Sequence, residues 1–425
     1  MLDYKLTKFD NGLKMITAPM TNTKAVTILF LIGTGARYEP KKLNGISHFL
    51  EHLFFKGTKQ RPTTLAIAQT LDSVGASYNA FTGEENTGFY VRSPAEHFDL
   101  ALEVLNDIFY HSKFDEKEID REKGVISEEI NMYQDSPQSY IEEVIKKLFY
   151  GRHPLGRPIV GEKTTINQFS RADFLKFKDQ HYNPNNMIVA IAGGKSNNQW
   201  QKKVEEYFQK VPPQKPIDYQ PIRVLQDEPK VLIHHKKTDQ AHLFLGFRSL
   251  SRTDKRRPIL KVLSNLLGET MSSRLFTQVR EKRGLAYYIS SEMVDFQDTG
   301  IFGAAAGVDI SRTEAAVKVI LDEFQKIKTH LVKTVELRKA QENLKGKMYL
   351  GLEESMAVAG YLAEQALFWP KIEDPDDLIS KYQQVTPKDI QDFAQEFFIP
   401  QNLNLALIGP FKNQEKFLTA LRRYQ

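Results

Sequence analysis

The stretch GISHFLEHLFFKG, residues 45–57, contains two histidines four positions apart, His48 and His52, with Glu51 between them. On a helix, residues at this spacing lie on one face about one turn apart, so both imidazoles can reach one zinc ion. The order His-x-x-Glu-His inverts the commoner zinc motif His-Glu-x-x-His. The stretch therefore predicts a helix that carries part of a zinc site, with Ser47 as its N-cap.

The composition of the 425-residue chain limits its class. There is no cysteine, which excludes disulfides and leaves His, Asp and Glu as metal ligands. The net charge of +5 is small for this length, and the basic residues are mixed with acidic ones, which favours an ordinary solvated surface over nucleic-acid binding. No segment has the length and apolarity of a membrane span, and the N-terminus lacks the apolar core of a signal peptide. We expect a cytoplasmic protein without a membrane partner, although a targeting segment cleaved earlier is compatible with this sequence.

Two patterns recur along the chain at one constant offset. An apolar, β-branched run at 25–33, typical of a buried strand, resembles the run at 240–247. Helical periodicity at 98–109 resembles that at 313–324, and both offsets are 215 residues. Matching offsets at two separate places predict a duplicated α/β domain.

A proline-rich segment separates the two halves. Five prolines fall between residues 210 and 231, and prolines oppose both helices and central strands. We therefore predict a zinc-binding domain at 1–210, an extended linker at 211–230 and a homologous domain without zinc at 231–425.

The second half carries leucines where the first half carries the zinc motif. At the 215-residue offset, the three polar positions of the motif align with Leu263, Leu266 and Leu267. A helix that only packs keeps apolar residues at such positions. The contrast indicates that the polar residues of the first half serve chemistry.

Two histidines leave a catalytic zinc site short of one protein ligand. In the acidic stretch downstream, Glu122 and Glu129 lie two helical turns apart on one face, and at the same offset they align with Leu337 and Leu344. Glu128 points about 100° away and is the main competitor. We choose Glu129 as the third ligand of one zinc ion per chain, and Glu122 as a carboxylate that holds a ligand or aids proton transfer.

With these residues identified, the chain resembles the pitrilysin family of inverted-motif zinc metallopeptidases, which includes insulin-degrading enzyme and the mitochondrial processing peptidases. It is most similar to the single-chain, prokaryotic-type members. In that family the ligand glutamate follows the motif after roughly 76 residues, and 76 residues separate His52 from Glu129. Further blocks also match, namely GASYNAFTGEENT at 75–87, NPNNMIVAIAG at 183–193 and MSSRLFTQVREKRGLAY at 271–287.

The resemblance implies an α+β fold of two homologous domains, each with a mainly antiparallel sheet packed by helices. It implies a zinc-dependent endopeptidase for peptides or unfolded segments, in which Glu51 takes a proton from a zinc-bound water. Residues 75–81 resemble the edge strand to which substrates add by backbone pairing. Asn79, Ala80 and Phe81 would then contact substrate; ordinary strand packing is the alternative interpretation of Ala80 and Phe81.

Arg280 and Tyr287 match the family's Arg/Tyr pair, which comes from a domain without zinc. The resemblance implies that they bind substrate and stabilise the oxyanion; read alone, residues 280–283 are a basic surface loop. Some relatives split the zinc motif and this pair between two subunits, whereas this chain carries both. We therefore expect a homodimer in which each site uses the pair from its partner.

Two other classes of function remain open from the sequence. One is a catalytically inert scaffold of the same fold. The other is a peptide-binding subunit with structural zinc, but a closed structural site takes four protein ligands, and the sequence offers three.

Overall fold

The computed structural model describes residues 2–194, 198–209, 211–223 and 226–424. The chain forms two compact units that interleave along the sequence. The first unit comprises Met1–Asn131, Arg157–Gln220 and Tyr349–Asp374, and the second comprises Met132–Gly156, Pro221–Met348 and Pro375–Gln425. Among the described residues, no helix has both the length and the apolarity needed to cross a membrane.

Each unit is built on one mixed β-sheet. The first sheet has the order β1-β2-β6-β3-β5-β4 and the second β7-β11-β8-β10-β9, from these strands: β1 Lys5–Lys8, β2 Lys14–Pro19, β3 Ala25–Ile32, β4 Ser77–Thr82, β5 Thr87–Pro94, β6 Met187–Gly193, β7 Lys230–His235, β8 Gln240–Ser249, β9 Ala286–Asp295, β10 Gly300–Asp309 and β11 Leu403–Gly409. Among the strands of the described residues, only β2–β6 and β7–β11 pair in parallel. The predicted α+β class with mainly antiparallel sheets is confirmed.

The two sheets repeat one topology. Without β1, the first order maps strand by strand onto the second. The ladders agree as well, since Ile32 pairs with Thr87 and Phe247 pairs with Phe302, both 215 residues later. The predicted duplication is therefore visible in strand order and in register.

Helices cover the faces of both sheets. They are α1 Ile46–Phe54, α2 Thr64–Asp72, α3 Phe98–His111, α4 Glu116–Asp135, α5 Pro137–Tyr150, α6 Lys163–Ile166, α7 Arg171–His181, α8 Asn198–Phe208, α9 Arg257–Gly268, α10 Thr313–Thr329, α11 Thr334–Gly351, α12 Ser355–Phe368, α13 Pro375–Gln384, α14 Pro387–Phe397 and α15 Glu415–Arg422, with a π-helical segment at Phe276–Glu281. In the first unit, α1, α3, α7 and α8 bury apolar side chains in one core against the sheet. This core fixes α1 and thereby the histidine motif.

Two corresponding helices pack on the sheet of the half other than the one that contains their sequence. Helix α12 covers the other face of the first sheet, where Leu362 shares a core with Leu29 and Ile188. Helix α5 covers the other face of the second sheet, where Val144 shares a core with Phe244. The compact units therefore differ from the predicted domains 1–210 and 231–425 in these two segments, because α5 and α12 each bury apolar side chains against the sheet of the other half.

The predicted linker has no regular structure where it is described. Residues 211–223 and 226–229 form neither helix nor strand, as their prolines require, and β7 begins at Lys230.

Candidate metal centre and active site

Helix α1 is held at its N-terminus by a buried carboxylate. Gly45 is the N-cap, with φ of 96°, and its N–H and that of Ser47 each donate to Glu39 at 2.8 Å. Burial raises the pKa of Glu39, and the hydrogen bonds from the N–H groups of Ser47 and Gly45 act against that rise. The prediction of Ser47 as N-cap is wrong, because Glu39 supplies the acceptor and Ser47 lies inside the helix.

Three donor side chains converge beside α1. One ligand atom each from His48, His52 and Glu129 lies within 4.8 Å of the others. Glu129 reaches from α4, with oxygens 3.5 Å from His48 Nε2 and 3.6 Å from His52 Nε2. Glu128 is exposed and accepts a hydrogen bond from Asn131 at 3.3 Å. Of the two glutamates, the structure places Glu129 with the histidines.

The spacing of these donors suits a zinc ion. Ligand atoms about 2.1 Å from a tetrahedral zinc lie roughly 3.4 Å from one another. Glu129 Oε1 lies 3.5 Å from His48 Nε2 and Oε2 lies 3.6 Å from His52 Nε2, so each oxygen is near that separation from one histidine. Two imidazoles, one carboxylate and a position left for water or substrate form a usual catalytic zinc set. His48 is buried while His52 and Glu129 are partly exposed, so solvent can reach the cluster.

The charges in the cluster favour a cation. Burial lowers the pKa of His48, but the hydrogen bond to Glu129 and the charges of Glu129 and Glu51 outweigh it and raise that pKa. Burial likewise raises the pKa of Glu129, but the contact with His48 outweighs it and lowers that pKa. A positive charge at the His48 imidazole is therefore stabilised.

Glu122 contacts the Nδ1 atom of His52, whereas Glu129 lies near the Nε2 atom of the same ring. Its buried carboxylate lies 2.8 Å from His52 Nδ1 and 2.7 Å from Lys56 Nζ. Burial alone raises the pKa of Glu122, but the bonds from His52 and Lys56 outweigh it and keep the group ionised. A carboxylate on Nδ1 leaves Nε2 free for a metal, which is the usual arrangement around metal-binding histidines. Lys56 was not predicted as part of the site, although it lies four residues after His52.

Glu51 is positioned by the last residue of β4. Thr82 Oγ1 donates to Glu51 Oε2 at 2.6 Å. Glu51 is partly exposed on the helix that presents His48 and His52. Thr82 was not predicted either, because nothing in a strand pattern indicates contact with a residue 31 positions earlier.

Strand β4 forms an open edge of the first sheet. Asn79 is exposed, and its side chain accepts the N–H of Ala80 at 2.9 Å, so this N–H faces away from β5. The Ala80 side chain lies in the core, and the Phe81 ring lies over Gly88 on β5. Beside the strand is a pocket of about 160 Å³ lined by Phe55, Thr64, Ile67, Ala68, Tyr78 and Asn79.

Arg280 and Tyr287 lie in the second unit. Arg280 falls in the π-helical segment, a conformation frequent at functional sites. Its guanidinium carbon is 5.6 Å from the centroid of the Tyr287 ring, and Tyr287 is 74% exposed. The same guanidinium carbon lies 4.9 Å from the centroid of the Phe276 ring, so Arg280 contacts two aromatic rings, of which Tyr287 is open to solvent.

In the second unit, the positions that match the metal cluster are apolar. Leu263, Leu266 and Leu267 on α9, and Leu337 and Leu344 on α11, are all buried in one core. The same framework packs without polar groups here, so His48, Glu51, His52, Glu122 and Glu129 are not required by the fold.

Two interleaved α+β units with an inverted His-x-x-Glu-His helix and an acidic third ligand define a class of zinc metallopeptidases. Residues 14–163 match the model of the insulinase family, peptidase family M16, and residues 168–344 match that of the peptidase M16 inactive domain. The chain belongs to the M16 family.

Relatives share the whole length of the chain. An uncharacterized zinc protease of Streptomyces coelicolor is 34% identical over 96% of this chain and 90% of its own. One of Bacillus subtilis is also 34% identical, over 95% of this chain and 97% of its own. A solved structure of a protease from Helicobacter pylori, 24% identical, superposes with a TM-score of 0.91 over 96% of this chain and 100% of its own, which establishes the shared fold.

Proposed function

We propose that the protein is a zinc-dependent endopeptidase that hydrolyses peptides or unfolded polypeptide segments. The observation that carries this proposal is the convergence of His48, His52 and Glu129 beside Glu51. Membership of the M16 family, with relatives named zinc proteases, supports the same class of reaction.

Each step of the proposed reaction is assigned to a side chain whose position the structure gives. A bound zinc supplies acidity to water and polarises a carbonyl oxygen. Glu51, with one oxygen fixed by Thr82, accepts the proton of the attacking water and delivers it to the leaving amine. Glu122 keeps the His52 ring oriented. Arg280 and Tyr287 are proposed to bind substrate and to stabilise the oxyanion.

The edge strand β4 gives a physical reason for preferring extended substrates. A peptide that pairs with the open side of β4 uses backbone hydrogen bonds, which any sequence can make. The Ala80 N–H faces that side, and the pocket at Phe55 and Tyr78 has room for one side chain. A folded protein rarely offers a free strand, so unfolded segments fit better.

The test is chelator-sensitive hydrolysis. The purified chain with zinc is expected to cleave quenched peptides from a mixed pool, and a chelator should abolish cleavage until zinc is restored. Mass spectrometry of the products identifies the bonds cleaved. If zinc binds in stoichiometric amount and no peptide in the pool is cut, the chain is an inert scaffold or a peptide-binding subunit instead.

We further propose a homodimer in which Arg280 and Tyr287 act on the site of the partner. Mixing a Glu51→Gln variant with a Tyr287→Phe variant should then restore activity. Half of randomly exchanged dimers are mixed and each has one complete site of two, so recovery of about a quarter of the wild-type rate is expected.

The control for this mixture combines Glu51→Gln with a double variant carrying both changes, which can form no complete site. Absence of recovery while light scattering and tagged-chain pull-down establish subunit exchange would mean that one chain completes its own site.

A further inference from the structure

The hydroxyl of Thr82 contacts the carboxylate of Glu51, the proposed general base. Thr82 Oγ1 donates to Glu51 Oε2 at 2.6 Å. Within the part of the chain that the structure describes, no second hydrogen bond or ion pair reaches the Glu51 side chain. We propose that Thr82 is the positioning residue of Glu51: it fixes the orientation of this base and ties it to the strand along which the substrate lies. This inference rests on the proposed peptidase function.

Thr82 can act as a fixed point because its neighbourhood is rigid. It pairs with Thr87 on β5, and buried Thr87 donates its hydroxyl hydrogen to Thr34 O at 2.8 Å. The turn that follows is closed by Gly83 N–H donating to Asn86 O at 2.8 Å. The hydroxyl is therefore presented from backbone that has little freedom to move.

A buried ion pair also stabilises the turn that follows β4. Arg37 and Glu85, both nearly inaccessible to solvent, lie 2.7 Å apart. The N–H of Arg37 also donates to Glu84 O at 2.8 Å. Separating two buried, hydrogen-bonded charges is costly, so the pair resists displacement of the turn.

Glu51 needs such a fixed point. It is partly exposed on a long side chain with several rotatable bonds, so without a partner its carboxylate would sample many orientations. A general base works only when it lies within hydrogen-bond reach of the proton it takes. Holding one oxygen at Thr82 leaves the other available for that proton.

The second unit indicates that this bond is not needed for folding. There Phe302 corresponds to Thr87, and its partner on β9 is Met293, which packs against the core. Glu51 corresponds to Leu266. The hydroxyl and the carboxylate are thus replaced together by two apolar side chains, as expected if the pair serves chemistry.

The position of Thr82 also connects base and substrate. A peptide paired with the open side of β4 is held by the backbone of the strand that Thr82 ends. The register of the peptide on β4 then determines which peptide bond faces Glu51. If the Glu51 carboxylate were free to reorient, kcat would fall and additional peptide bonds would be cleaved.

The experiment compares Thr82→Val, which keeps the shape and lacks the hydroxyl, with Thr82→Ser, which keeps the hydroxyl. Thr82→Val is expected to lower kcat by about 10–100-fold, as for groups that orient catalytic ligands. KM, zinc content by elemental analysis, and anisotropy of a labelled peptide on the zinc-free protein should change little. Thr82→Ser should restore most of kcat, and mass spectrometry should find additional cleavage sites in Thr82→Val.

Thr17→Val is the matched control, because Thr17 lies on β2, separated from β4 by three strands in the same sheet. The proposal is overturned if Thr82→Val retains wild-type kcat, if it loses zinc or thermal stability in step with activity, or if Thr82→Ser is equally impaired. These outcomes differ from failure of the proposed peptidase function, because in that case the wild-type protein itself would show no chelator-sensitive cleavage.

Discussion

Replacing Glu51 by Gln is expected to lower peptide hydrolysis by on the order of 10³-fold, the range for loss of a general base. The amide cannot accept the proton of water, whereas its oxygen can still accept the hydrogen bond that Thr82 donates at 2.6 Å. Zinc content should stay at one ion per chain, because the metal cluster is His48, His52 and Glu129. Elemental analysis and quenched-peptide kinetics on the same preparation measure both quantities.

A matched control for this substitution is Glu96→Gln, since the Glu96 side chain is 80% exposed at the surface. It should retain full activity and full zinc. Wild-type rates in the Glu51→Gln variant would remove Glu51 from the mechanism. Loss of zinc together with activity would make Glu51 a ligand rather than a base.

Replacing Glu129 by Gln should weaken zinc binding by at least about 10²-fold, since groups that only orient ligands already contribute 10–100-fold. The change removes the proposed anionic ligand, whose oxygens lie 3.5 Å and 3.6 Å from the two histidine Nε2 atoms. The contact with His48 lowers the pKa of Glu129, so its carboxylate is ionised at neutral pH. Competition against a chromophoric chelator measures the affinity directly.

Glu128→Gln is the matched control, because it makes the same chemical change on the next residue of α4. Glu128 is exposed and bonded to Asn131, so this variant should keep zinc and activity. The reverse outcome, with zinc lost on changing Glu128 and retained on changing Glu129, would contradict the ligand set.

The fold class and the duplication could be predicted because their signals are local and repeated. Apolar runs and helical periods recur 215 residues apart, and the structure places strands and helices at those positions, as for β3 and β8. The aligned leucines Leu263 and Leu337 are buried in a core. Burial of apolar side chains is the main driving force for folding, so a repeated apolar pattern predicts a repeated framework.

The choice of sheet for α5 and α12 could not be predicted. Each helix buries apolar side chains, and each packs in the unit other than the one that its position in the chain indicates. Hydrophobic burial is non-directional, so composition and periodicity do not select between two similar surfaces. That choice depends on the completed fold.

The sequence by itself determined the chemical identity of the candidate site. His48, Glu51 and His52 are brought to one helix by local geometry, and Glu122 and Glu129 lie on one face of another. Only the tertiary structure decided how those groups are held. Glu39 holds the start of α1, Lys56 contacts Glu122, and Thr82 fixes Glu51. These contacts join residues from separate elements, and helical or strand periodicity describes order within one element only. The side chains that orient the site therefore become visible when the sheet and its helices have packed.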